Sequence, residues 1–170
     1  PSTPVKFGCA PQKTMYLAAD YFRKHLQGKG KVYFSSAGKV IFGIKKYADE
    51  LQKVINKYGI ETNFHYDLVA INGEDKIATF KIKDDGGNTS EMKKHFDMIH
   101  VTPPQSAPDF IRSSPLANEN GWIDVDQYTL QHSKFKNIFG IGDATSTPNS
   151  KTGAAVRKQA PVLVENLIAL

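Results

Sequence analysis

Between residues 10 and 66 the apolar residues recur with a helical period, then alternate, then repeat that cycle, and few folds accommodate this order. Ala10-Pro11 opens the first helix, where the missing proline N–H costs nothing. Met15, Leu17, Ala18, Tyr21, Phe22 and Leu26 form its apolar face, and Gly28 stops it. Lys31 to Ser35 reads as a buried strand. A second helix follows over 44–58, with Tyr47, Leu51, Val54 and Ile55 on its inner stripe and Gly59 as its cap. Ile60 to Tyr66 is the next strand.

Helix, strand, helix, strand becomes a βαβαβ unit once a strand is placed ahead of residue 1. The expected fold is therefore α/β: a Rossmann-like sheet of the FAD/NAD(P)-binding kind, parallel, with right-handed crossovers and helices on both faces. The first strand is expected ahead of Pro1, outside this chain. Leu68 to Asn72, Ile77 to Ile82 and Glu91 to Phe96, separated by turns at Gly73-Glu74-Asp75 and Asp84 to Asn88, predict an antiparallel meander. Asp97 to Thr102 reads as a buried strand carrying His100 as a core residue, and Pro103-Pro104 ends its pairing. The polar, proline-punctuated run that follows sets the expected boundary, with one domain over 1–102 and an incomplete second piece over 103–170. That piece holds short strands at Trp122 to Val125 and Ile138 to Ile141, then a helix from about Lys151 that Pro161 should kink or interrupt.

The bulk numbers exclude more than they assign. At 170 residues, 40% hydrophobic and 23% charged, the chain is ordinary for a soluble globular protein. No apolar run of about 18 residues is present. The net charge of +5 is spread over scattered lysines without interleaved aromatics, which favours a solvated surface over nucleic-acid binding. A single cysteine, Cys9, leaves no internal disulfide and fits a reducing compartment. The histidines lack ligand spacing, so no metal site is expected. A start at Pro1 and a stop inside a helix suggest an excised piece of a longer protein.

Chemistry concentrates near the C-terminus, in Asn137 to Thr145 (NIFGIGDAT) and Ser150 to Ala155 (SKTGAA). A short apolar strand, a glycine turn with one carboxylate and a small-residue helix start stand in succession. This can be a tight turn with a helix-capping Asp143. It can equally be a flavin site, where Gly142 admits the cofactor and Asp143 accepts hydrogen bonds from ribityl hydroxyls. Lys151 and the helix N-terminus would then face the pyrimidine end of the ring. Neither 36–43 nor 7–11 supplies the G-x-G-x-x-G loop that pyrophosphate needs, so NAD binding is not expected. Cys9 precedes a helix N-terminus with Lys6 and Lys13 close in sequence, a setting that favours a nucleophilic thiolate. A buried inert cysteine is the alternative.

The segments Thr3 to Lys6, Ala10 to Lys13, Phe42 to Asp49, His100 to Pro104, Gly121 to Asp126, Thr129 to His132, Gly140 to Asp143 and Ser150 to Thr152 resemble the sulfide:quinone oxidoreductases, in the branch that includes the mitochondrial enzymes. The resemblance implies a glutathione-reductase-like fold, with a membrane-contacting region and a second redox cysteine beyond this chain. It implies sulfide oxidation through cysteine persulfide chemistry and FAD, with electrons passed to quinone. Gly142 and Asp143 would contact FAD, Thr102 and Pro103 would lie near the flavin, and Lys151 near its pyrimidine edge. In the family a sulfur-accepting cysteine directly follows the lysine that here is Lys6. This chain has Phe7 there, and Cys9 stands two residues later. The full-length protein is expected on the cytoplasmic or mitochondrial-matrix side, peripheral to a membrane; this piece alone is expected to be soluble and to bind FAD weakly or not at all. Two alternatives remain: a related FAD-dependent NADH:quinone or disulfide oxidoreductase, and a catalytically inert scaffold.

Overall fold

The computed structural model describes residues 1, 7–27, 29–84 and 86–170. The Thr3 to Lys6 segment, the helix stop at Gly28 and Asp85 of the predicted turn lie outside them. The chain divides into two compact units, Pro1–Pro104 and Gln105–Leu170.

In the first unit α1 (Cys9–His25), β1 (Tyr33–Ser36), α2 (Lys45–Tyr58) and β2 (Glu61–Phe64) follow in the predicted order. β1 and β2 pair in parallel with Phe34 opposite Thr62. A parallel pair requires a crossover, and α2 provides it. Met15 and Ala19 of α1, Phe34 of β1, Ile41, Ile55 of α2 and Ile60 form one buried cluster. Ala48, Leu51 and Tyr58 pack around it from the same face of α2. Tyr47 and Val54, expected on that stripe, are exposed. Gly59 closes α2 in the left-handed conformation at φ 63°, and its N–H donates to Asn56 O and Ile55 O.

α1 carries apolar residues on two surfaces. Pro11, Gln12, Met15 and Ala19 are buried. Ala18, Phe22 and Leu26 instead line a groove of about 920 Å³, whose other walls include Val32 to Ser35 and Phe96 to Thr102. Leu17 and Tyr21 face outward.

The groove explains a correction. Residues 97–102 form no strand, Met98 is 72% exposed, and His100 is exposed rather than a core residue. This segment borders the groove where a neighbouring strand would have to lie, so no described ladder partner meets its backbone. Apolar content alone cannot supply that partner. The meander forms as expected: β3 (Tyr66–Asn72), β4 (Ile77–Lys83) and β5 (Thr89–His95) are antiparallel in the order β3-β4-β5. His65, at φ 61°, breaks the predicted 60–66 strand between β2 and β3.

The second unit contains the short α3 (Asp109–Arg112), a 3-10 turn (Gly142–Ala144) and α4 (Gly153–Ile168). The strands predicted at 122–125 and 138–141 reduce to isolated bridges: Ala117 with Ile123, Ile123 with Thr145, Val125 with His132, and Gln131 with Phe139. Buried His132 holds this irregular core. One ring nitrogen meets Leu116 O at 3.1 Å, and Nδ1 accepts from Lys134 N–H at 3.0 Å. Asp126 accepts from the N–H groups of Thr129 and Tyr128, which holds its carboxyl below the usual carboxylate range. α4 runs through Pro161 without interruption, so of the two expected outcomes, a kink or a break, the break does not occur. None of its residues is fully buried, so the carbonyl that loses its partner can turn to water.

Ile55 is 1% exposed at the centre of the first cluster. Ile55→Ala is expected to lower unfolding free energy by about 2–5 kcal/mol, whereas exposed Val54→Ala should cost under about 1 kcal/mol. Urea denaturation of the two variants checks the assignment of the inner stripe.

Candidate functional site

The Gly140 to Asp143 turn is built by crowding. A Cβ on buried Gly140 would stand 2.9 Å from Val125 Cγ1, 3.0 Å from Thr145 Cγ2 and 3.1 Å from Ile123 Cγ2. Only glycine threads this point. Gly140 N–H then donates to Leu130 O at 2.9 Å. Two residues on, Gly142 adopts φ 80°, and a Cβ there would approach Val156 Cγ2 of α4 to 3.2 Å. Both glycines are therefore required by the chain's own packing, whatever else approaches the turn.

Asp143 sits half-buried in the 3-10 turn. It does not cap α4: Thr152 does, its side-chain oxygen accepting from Ala155 N–H at 3.2 Å. The helix-capping reading of the carboxylate thus loses its premise. Gly153 and Ala154 open α4 with exposed positions and nothing larger than a methyl.

Lys151 lies just ahead of that cap. Its Nζ stands 4.4 Å from the centroid of the Trp122 ring and donates to Thr145 O. Thr145 is fully buried, and its hydroxyl donates to Gly142 O at 2.8 Å while meeting Thr147 Oγ1 at 2.9 Å. Gln159 reaches back from α4, its Oε1 accepting from Gly142 N–H at 3.0 Å. Gly142, Asp143 and Lys151 thus gather around one end of α4. Trp122, Thr145, Thr147 and Gln159 complete the cluster and were not singled out from sequence. A faint signal existed, since Thr152, Val156 and Gln159 share a face of α4 at i, i+4 and i+7.

Cys9, Thr102 and Pro103 belong to the first unit. Cys9 is the first residue of α1, half-buried and in no disulfide. One turn on, buried Gln12 donates from Nε2 to Ile41 O at 2.7 Å and to Gly8 O at 3.4 Å, tying the helix start to the 38–43 loop. Lys13, close to the thiol in sequence, places its ammonium 5.8 Å from the Phe7 ring centroid. Thr102 borders the groove and Pro103 is exposed. Among the described residues no group of three or more His, Cys, Asp or Glu is placed to hold a metal ion. No described helix is long and apolar enough to cross a membrane.

No protein-family model matches the chain. It is similar to the mitochondrial sulfide:quinone oxidoreductase of Mus musculus, at 47% identity over 164 residues that cover 96% of this chain and 36% of that protein. It is similar also to the mitochondrial sulfide:quinone oxidoreductase of Dictyostelium discoideum, at 45% identity over 170 residues, covering 99% of this chain and 36% of that protein. The chain therefore spans about a third of the length of the curated relatives it matches. Among solved structures, the sulfide:quinone oxidoreductase of the hyperthermophilic bacterium Aquifex aeolicus matches with a TM-score of 0.77 at 21% identity, over 98% of this chain and 42% of that one. At that identity the likeness speaks for the fold, which is α/β and Rossmann-like.

Proposed function

We propose that this chain is a segment of a mitochondrial, FAD-dependent sulfide:quinone oxidoreductase. Its first unit would be the second Rossmann-like domain, and its second unit part of the flavin wall. The observation that carries this reading is identity of 45–47% along 96–99% of the chain with proteins bearing that name.

The residues at the start of α4 fit a flavin. A half-buried carboxylate precedes a helix N-terminus opened by exposed, small residues, with a lysine held beside it. Asp143 would accept hydrogen bonds from the cofactor's hydroxyls, each charge-assisted and so stronger than a neutral pair. The α4 N-terminus and Lys151 would favour negative charge at the ring. Gly142 would contribute by having no side chain, and Thr102 and Pro103 are flavin neighbours by the family resemblance alone. FAD, when bound, carries two electrons from a sulfur nucleophile to quinone. Cys9 would serve as the sulfur acceptor at the head of α1, in place of the family cysteine that Phe7 displaces.

Two variants of the full-length protein test this. Asp143→Ala should weaken FAD binding about 10- to 100-fold, the range of one hydrogen bond to a charged group. Fluorescence titration of the apoprotein reads that shift, and an unaltered Kd removes Asp143 from the cofactor site. Cys9→Ser should retain bound flavin but lose sulfide-dependent quinone reduction; an undiminished rate takes Cys9 out of the mechanism. Turnover with NADH in place of sulfide would overturn the assignment altogether.

A further inference from the structure

We propose that Gln159 is the positioning residue of this site, acting through a closed ring of hydrogen bonds that begins and ends on the Gly142 residue. Gly142 N–H donates to Gln159 Oε1 at 3.0 Å. Gln159 Nε2 donates to Thr147 Oγ1 at 3.5 Å, and also to Asn149 Oδ1 at 3.3 Å. Thr147 and Thr145 share a hydroxyl contact of 2.9 Å. Thr145 Oγ1 donates to Gly142 O at 2.8 Å.

The directions are mutually forced. A backbone N–H can only donate, so the Gln159 oxygen faces Gly142 and its NH₂ faces Thr147. The Thr145 proton is committed to a carbonyl, so Thr145 Oγ1 accepts from the Thr147 hydroxyl. Thr147 is then left to accept from Gln159. All four donors point the same way round. Thr145 is 0% and Thr147 6% exposed, so water does not substitute for these partners.

Two consequences follow. The N–H and C=O of Gly142 are both engaged by protein, so of the Gly142-Asp143 pair it is Asp143 that would offer polar contacts to a ligand. The turn is also clamped to α4 from seven residues past the Thr152 cap, which sets the carboxylate's height against the helix N-terminus. The second consequence rests on the flavin reading above.

The experiment uses the full-length protein with Gln159→Leu, Thr147→Val and Thr147→Ser, read by hydrogen exchange at the Gly142 amide and by FAD titration of the apoprotein. Leucine keeps helix propensity, so α4 is retained. Gln159→Leu should speed Gly142 exchange and weaken FAD binding, each about tenfold for one part-buried hydrogen bond. Thr147→Val should weaken FAD binding in the same direction, and Thr147→Ser, which restores only a hydroxyl, should return wild-type values. Unchanged exchange in Gln159→Leu overturns the ring. Faster exchange with unchanged FAD affinity overturns the positioning role. A wild-type protein that takes up no FAD overturns the flavin reading instead, while exchange still judges the ring.

Discussion

The second unit depends on a place where a side chain cannot fit. At Gly140 the methyls of Ile123, Val125 and Thr145 converge to within about 3 Å of where a Cβ would stand. That contact draws the 122–125 segment, the 138–145 segment and the bridges of Ile123 to Thr145 and Gln131 to Phe139 into one knot. The unit has no continuous ladder there, so regular backbone pairing does not hold it. Scattered backbone pairs share that role, Ile123 N–H to Ala144 O, His132 N–H to Ile138 O and Ser146 N–H to Ile123 O among them, with side-chain bonds that link Asn118 to the backbone of Asn120 and Trp122, His132 to Leu116 and Lys134, and Ser146 to Val125. Asn166 of α4 joins in, donating to Thr129 O at 3.1 Å. Leu130, 2% exposed, is held at φ 62°, a conformation that bulky residues rarely adopt. Its burial and the bonds on either side of it outweigh a local strain of about 1–3 kcal/mol.

The first unit obeys the opposite logic. Its parallel pair must be bridged by a crossover, and the helix that bridges it also provides the core. Period and burial therefore agree along 48, 51, 55 and 58 of α2. α1 divides its apolar residues between the cluster and the groove wall, so its pattern looks broader than the stripe it buries. Lys94 adds a polar seam across the meander, with its ammonium 5.4 Å from the Tyr33 ring and 5.2 Å from the Tyr66 ring. At such partly exposed sites a cation–π contact contributes about 0.5–1 kcal/mol, a modest addition to apolar packing.

What could be read from the sequence follows from these two logics. The helices, the Gly59 cap and the three-stranded meander were legible because their signals are local: period, turn residues and length. Asp97 to Thr102 misled because a strand is a pairing property, and the pattern of one segment says nothing of its neighbour. The short strands at 122–125 and 138–141 failed for the same reason and became single bridges. Pro161 allowed a kink or a break, and the break does not occur: the carbonyl that loses its partner can turn to water, since α4 buries none of its residues completely. Within the site, Gly140, Gly142 and Asp143 announced themselves as a motif. Gln159 and Trp122 did not, because their partners stand 17 and 29 residues away.

Magnitudes decide how Lys151 acts in this cluster. Its ammonium lies over Trp122 and donates to Thr145 O, contacts worth about 0.5–2 and about 1.5–3 kcal/mol respectively. Swinging the lysine onto a ligand gives these up, and a hydrogen bond to a charged acceptor returns about 1.5–3 kcal/mol. The exchange is unfavourable even before the side-chain entropy of reordering is counted. A fixed charge acts without that cost. Held beside the Thr152 cap, the ammonium adds to the partial positive charge of the α4 N-terminus, equivalent to roughly half an elementary charge. Trp122 therefore matters to the site's electrostatics although it carries no charge: it keeps the lysine in the position from which its field reaches the mouth of the helix.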